Sequence, residues 1–339
     1  MAQTFGVIGL GRMGYRTVLA GRQAGLELVG ILDSAPEPWG VGQEAGLVPH
    51  LTGDLQAFLA RKPDIVAVST TADSHAPLLQ AVLGAGIRKV LMEKPVACSV
   101  AEAEDMIAAA NAAGAEVLVN HNHRAWDVLA RIRALDGDAR FGALRAFIIT
   151  QGAGGLGNLG THYFDLANWL FQTTPQAAAG FGTKPEAPNP RGAQFDDIGG
   201  TVVVSYPGQR RLVLEIGDDI GAIGGYEFRF ERGRVLMPFV SETPRLYARR
   251  ADVRDHPKHF YGAPLEEIPF GAFAPADVVA GTAAVFRDLI AGTQVAGATL
   301  AEATTALGTM VAARLSIETG TMQRLPLAGA GRQQRYAVA

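Results

Sequence analysis

The chain has 339 residues, which at roughly 100 to 200 residues per domain is length for two domains and two hydrophobic cores. Its 30 Lys and Arg against 33 Asp and Glu leave a net charge of −3 with 19% charged residues, which argues against a dominant nucleic-acid footprint, since that needs a basic face. Hydrophobic residues make up 48%, yet no apolar run approaches the roughly 20 residues of a membrane helix, and Cys98 as the single cysteine excludes an internal disulfide or a cysteine-built zinc site.

The opening MAQTFGVIGLGRMG passes into a strand pattern with no basic stretch or cleavage-like site, so the expected location is a reducing cytoplasm. Through residue 125, short apolar runs alternate with Ala-rich stretches, a rhythm that predicts βαβ units and a parallel sheet. The strand candidates are TFGVIGL, ELVGILD, IVAVST, KVLME and EVLVNHN, with helices over 15–24, 56–60, 75–85 and 99–113. After residue 125 longer alternating segments take over: ALRAFIITQG, GTVVVSYPGQRRLVLEIGD, YEFRFERGRVLMP and SETPRLYARRADV. These predict a second, α+β domain with a large, mainly antiparallel open sheet, interrupted by helices over 162–171 and 277–291 and followed by one over 300–319. The expected organisation is a dinucleotide-binding Rossmann domain at 1–125, a substrate-binding and oligomerisation domain at 126–328, and a frayed tail at 329–339.

Gly9-Leu10-Gly11-Arg12-Met13-Gly14 closes the first strand and opens a helix. In that position Gly9 permits the tight turn, Gly11 the close approach of a pyrophosphate, and Gly14 the packing of helix on strand. The helix N-terminus offers N–H groups and partial positive charge to the phosphates. Asp33 follows roughly 20 residues later at the end of the second apolar run, where a carboxylate accepts ribose hydroxyls and repels a 2′-phosphate. Ser34-Ala35-Pro36 adds no arginine, so NAD is the expected cofactor, with Arg12 and Arg16 leaving NADP open.

Glu93-Lys94-Pro95 follows the strand KVLME, which puts Lys94 at a carboxyl end of the sheet, where open α/β folds bind their ligands. Taken together, the glycine motif, Ser69-Thr70 with His75, Glu93-Lys94-Pro95, Asn122-His123-Arg124, and the run of Gly154, Leu156, Asn158, Gly160, His162 and Asp165 resemble the glucose-fructose oxidoreductase, inositol dehydrogenase and MocA superfamily. The late segment from Ala313 to Thr321 continues the likeness over nearly the whole chain.

The resemblance implies a cleft between the domains in which Lys94 and His162 flank the reacting hydroxyl or carbonyl. It adds Arg12, Met13, Ser69, Thr70, His75, Glu93 and Lys94 to the cofactor's surroundings. It also implies a homodimer or homotetramer through the C-terminal sheet. The chemistry is coherent: an imidazole titrating near neutrality takes the alcohol proton, and an ammonium stabilises the developing alkoxide. Many polyol dehydrogenases of the family carry aspartate where this chain has Asn158, which still binds a substrate hydroxyl but carries no charge to support His162.

Asn122 and Arg124 are expected on substrate hydroxyls or an anionic group, an interdomain salt bridge being the other reading of Arg124. Trp126 reads as a pocket edge or as core, and His75 as a capping or a nicotinamide-side residue. His121 and His123 alternate with Asn120 and Asn122 on an expected strand end, and a metal set of His121, His123, His162 and Asp165 is the weaker reading. Asp165 is expected to cap or brace, and Cys98 to be an inert packed thiol. The resulting expectation is an NAD-dependent oxidoreductase acting on a secondary hydroxyl of a sugar, sugar acid or cyclitol. Redox-assisted elimination on tightly held NAD, and a dinucleotide-binding regulator without turnover, are the alternatives.

Overall fold

A computed structural model describes residues 3–338 except 153, 183, 184, 186–188, 190, 191, 193, 222, 223, 239–241, 258 and 260–262. The chain forms two units: Met1–Ala125 with Asp277–Leu307 and Arg332–Ala339, and Trp126–Ala276 with Gly308–Gly331.

In the first unit, strands β1 (Thr4–Ile8), β2 (Glu27–Leu32), β3 (Leu51–Thr52), β4 (Ile65–Val68), β5 (Lys89–Met92) and β6 (Glu116–Val119) form a parallel sheet in the order β6-β5-β4-β1-β2-β3. Residues 65–68 are all buried, as a parallel strand covered on both faces requires. The strand order reverses between β1 and β4, which opens a crevice at their carboxyl ends.

The core of this unit joins Phe5, Val7, Ile31, Leu91 and Leu118 to Ala283, Phe286 and Leu289 of the helix Val278–Ala291. Phe5 meets the Phe286 ring edge-on at 5.6 Å. The two-residue strand Ala298–Thr299 then pairs antiparallel with β6. The chain therefore returns to the first unit, and the expected boundaries of 126–328 do not mark one continuous domain. Burial of the apolar face of Val278–Ala291 against this core is the physical reason.

Nor is the tail frayed: Tyr336 N–H donates to Cys98 O at 3.0 Å, and Tyr336 and Val338 are 6% and 1% exposed. Two buried side chains and a backbone hydrogen bond hold the final segment down.

The second unit is built on a sheet of β7 (Leu144–Gly152), β8 (Ala177–Phe181), β9 (Gly200–Tyr206), β10 (Arg210–Gly217), β11 (Gly225–Phe230), β12 (Gly233–Met237), β13 (Arg245–Arg249) and β14 (Leu265–Ile268). Their order is β14-β13-β12-β11-β7-β10-β9-β8, with Gln323–Arg324 as a ninth strand beside β8. Every pairing is antiparallel except β7 with β10. Along β9 the side chains alternate, with Val202, Val204 and Tyr206 inward and Thr201, Val203 and Ser205 outward. The helix Thr161–Phe171 belongs to the buried side of this unit, where Phe171 and Tyr163 meet the rings of Tyr206 and Tyr226 edge-on at 4.9 and 6.0 Å.

Candidate functional site

Gly9 follows β1 directly, with its N–H bonded to Leu32 O at 2.7 Å. Its φ of +89° and the 2.9 Å that would separate a Cβ from Ser69 O leave glycine as the residue that fits. A Cβ on Gly14 would stand 1.9 Å from Gly9 O, so loop and helix approach as closely as backbone allows. Gly11 is different: it is exposed and a Cβ there meets no heavy atom within 4 Å. Protein packing does not require glycine at this position, whereas room for a phosphate against the backbone does.

The helix Arg12–Gln23 begins with no side-chain cap and no acidic residue in its first turn. Its leading N–H groups and partial positive charge suit an anion. Asp33 ties the loop together, accepting Leu10 N–H at 2.6 Å and Ala35 N–H at 2.8 Å. Across the crevice, Ser69 Oγ lies 3.2 Å from Thr17 Oγ1, whose hydroxyl donates to Met13 O at 2.9 Å. Arg12 is exposed at the helix start, and Thr70 Oγ1 accepts from Ser74 Oγ at 2.7 Å. These residues fit a bound dinucleotide.

His75 does not belong to a cofactor surface. Its ring is fully buried, with Nδ1 3.1 Å from Val96 O and Nε2 3.2 Å from Thr70 O. Burial holds its pKa below the usual imidazole value. The ring bridges the loop after β4 to the loop after β5, a bracing role in place of the expected contact.

Glu93 is likewise a brace: only 4% exposed, it accepts Asn120 Nδ2 at 2.6 Å through Oε1. Its Oε2 lies 3.3 Å from Lys94 N–H. Asn120 Nδ2 also reaches Thr282 Oγ1 at 3.1 Å, and Asn122 Nδ2 reaches the same oxygen at 3.3 Å. A polar network thus fastens the Glu93-Lys94 turn to the helix Val278–Ala291. Lys94 is half-buried at the end of β5. Burial of the His123 ring, with His121 and Lys94 adding like charge, pushes that imidazole down to about 3 and keeps it neutral.

Several expected substrate contacts are structural here. Asn122 is 3% exposed and occupied in the network above. Arg124 is 4% exposed and pairs with Glu302 at 3.1 Å, both residues belonging to the first unit. Trp126 is 8% exposed at the start of the helix Asp127–Arg133 and reads as packing. The strand ends at Val119 and Asn122–Ala125 form a 3-10 turn, so the expected alternation of residues 120–123 fails. The physical reason is that β5 already ends at Met92, whose carbonyl takes the last ladder bond from Asn120 N–H at 2.8 Å.

In the second unit, a π-type turn over Leu156–Gly160 leads into the helix Thr161–Phe171. Asn158 is half-buried on the turn, while His162 and Asp165 on the helix are 8% and 1% exposed. Asp165 lies inside the helix and not at its cap; with burial, its charge raises the pKa of Tyr206 well above the usual phenol value. Asp197, which the sequence reading passed over, accepts the N–H groups of Gly157 and Asn158. Its only signal in the sequence is a pair of adjacent aspartates before β9. Among the described residues, no group of three His, Cys, Asp or Glu side chains is arranged to hold a metal ion.

The glycine loop, the helix start it feeds and the crevice of the sheet define a dinucleotide-binding Rossmann domain. Residues 3–121 match the model of the oxidoreductase family with an NAD-binding Rossmann fold. This is the superfamily that the motifs resemble. The chain is 30% identical over 175 residues to a D-apiose dehydrogenase of Paraburkholderia graminis, a match that covers 46% of each chain. It is 31% identical over 128 residues to a 1,5-anhydro-D-fructose reductase of Ensifer adhaerens, covering 35% of this chain and 36% of that one. The chain thus matches less than half the length of these curated relatives. The fold extends further: a levoglucosan dehydrogenase solved with NADH and levoglucosan superposes with a TM-score of 0.78 at 17% identity, over 96% of this chain and 100% of that one.

Proposed function

We propose that the protein is an NAD-dependent oxidoreductase that acts on a secondary hydroxyl or carbonyl of a sugar, sugar acid or cyclitol. The observation that carries the reading is the uncapped start of Arg12–Gln23 beside Asp33, with Lys94 at the carboxyl edge of the same sheet. The relatives named for D-apiose, 1,5-anhydro-D-fructose and levoglucosan support a carbohydrate substrate.

The glycine loop and the first N–H groups of Arg12–Gln23 hold the pyrophosphate, and Asp33 receives the ribose hydroxyls. Asp33 and the absence of arginine among Ser34, Ala35 and Pro36 favour NAD over NADP. NAD supplies a hydride acceptor when bound. His162 takes the hydroxyl proton in oxidation and returns it in reduction, and the Lys94 ammonium stabilises the charge developing on the same oxygen. Asn158 donates to or accepts from a neighbouring hydroxyl without changing charge. Thr201, Val203 and Ser205 on the outer face of β9 mark the sheet surface proposed to pair with a second copy of the chain.

The test is absorbance of reduced nicotinamide with purified protein, NAD or NADP, and a panel of D-apiose, levoglucosan, aldoses, sugar acids and cyclitols. Turnover with NAD and one carbohydrate class is expected, and Lys94→Ala and His162→Ala each lower it by about 100-fold or more. Tight NAD binding with no turnover on any member would overturn the reading in favour of a closed redox cycle or a regulator.

A further inference from the structure

The helix that carries His162 starts very differently from Arg12–Gln23. Over Leu156–Gly160 the backbone winds in a π-type turn, with Gly160 N–H bonded to Gly155 O at 3.1 Å. The first N–H groups of any helix lack acceptors within it. Here Leu156 N–H donates to Ile198 O at 2.9 Å, and the carboxylate oxygens of Asp197 accept Gly157 N–H at 2.6 Å and Asn158 N–H at 2.8 Å. A Cβ on residue 155 would stand 2.4 Å from the Asp197 carboxyl carbon, so Gly155 is what lets the carboxylate in. The segment that delivers it is fixed in turn: the buried Arg314 donates to both the carbonyl and the carboxylate of Asp196 and to Glu318 Oε1 at 3.0 Å.

We infer that Asp197 is a positioning residue for the segment from Asn158 to His162. One carboxylate spanning two consecutive N–H groups sets the pitch of the turn, and with it the direction in which the Asn158 amide and the His162 imidazole project. Negative charge at a helix start and charge-assisted bonds make the anchor stronger than a neutral cap. The neighbouring Asp196 has a separate task, since its partner is Arg314. The consequence for turnover rests on the role proposed for His162; the anchoring itself rests on the geometry.

The experiment uses the full chain and the variants Asp197→Asn, Gly155→Ala and His162→Ala. Asn keeps the shape of Asp197 but replaces one acceptor by a donor that faces a backbone N–H. Imidazole NMR signals of His162, assigned by their loss in His162→Ala, are expected to shift in Asp197→Asn while those of His50 and His75 stay in place. Amide exchange over residues 156–160 is expected to speed up about tenfold or more. With the substrate found by the panel, kcat falls at least tenfold at constant KM for NAD, and the same change adds less than twofold in a His162→Ala background.

Unmoved His162 signals with unchanged exchange in Asp197→Asn overturn the inference, as does an equal loss of turnover in both backgrounds. Full turnover in His162→Ala would instead remove the proposed role of that histidine, with the signals and exchange still deciding the anchor. Should Asp197→Asn not fold, Gly155→Ala crowds the same carboxylate and is read in the same way.

Discussion

Two glycine-rich stretches, Gly9 to Gly14 in the first unit and Gly154 to Gly160 in the second, each lead into a helix, and they do opposite things with its first N–H groups. In the first, no side chain caps the helix and the partial positive charge is left for an external anion. In the second, Asp197 supplies that anion from within the protein. The same texture of small residues therefore makes a ligand site in one place and a rigid mount for side chains in the other. What separates them is whether a carboxylate from elsewhere in the chain reaches the turn.

The contrast is broken most directly by giving the first helix the device of the second. Gly11 occupies the cap position with extended backbone and no neighbour to clash with, so Gly11→Asp places a carboxylate on the bare start. NAD affinity is expected to fall by about 100-fold or more, roughly 2.7 kcal/mol, while stability to denaturant rises by roughly 0.5 to 1 kcal/mol. Calorimetric titration and urea unfolding read the two effects, and loss of both affinity and stability would show that the carboxylate does not cap. Gly14→Ala tests packing alone: its Cβ is forced against Gly9 O, and a destabilisation of about 1 to 3 kcal/mol is expected in the same unfolding measurement.

A pH-dependent effect follows from His123. His123 is pushed from 6.5 down to about 3 in the folded protein, so between those values the unfolded chain binds more protons. Its contribution is fully present above about pH 6.5 and is lost as pH falls toward 3, with a slope of up to about 1.4 kcal/mol per pH unit. In His123→Gln, unfolding free energies over that window should depend less steeply on pH than in the parent; an identical slope would contradict the assignment. The smallest expected signal is at Cys98, buried and with its thiol raised to about 11: a thiol reagent at pH 7.5 should label it only after unfolding.

Much of the first unit was legible in the sequence because its constraints are local. The glycines, Asp33 and the apolar runs of a two-sided parallel sheet each reflect backbone within a few residues, and the helix expected at 300–319 is observed as Leu300–Thr319. The fates of Arg124, Asn122 and His75 were not legible, since their partners Glu302, Thr282 and the Val96 carbonyl are set by tertiary packing. The Ala-rich strand Ala177–Phe181 shows the same limit: pairing with residues 201–205 overrides its weak strand propensity. Asp197 was missed for that reason too, because a long-range cap has no fixed spacing in the chain.

The return of Val278–Ala291 to the first core bears on how the molecule is made. A ribosome releases residues 1–125 long before Phe286 and Leu289, so the surfaces of Phe5, Val18 and Leu28 wait for partners that are still to be synthesised. The first unit in the chain therefore cannot close until residues 277–307 are made, whereas most of the second, Trp126–Ala276, emerges in the interval and lacks only Gly308–Gly331. An excised fragment of 1–125 would carry that waiting apolar face permanently, which makes it a poor choice for expression in isolation despite its tidy appearance in the sequence.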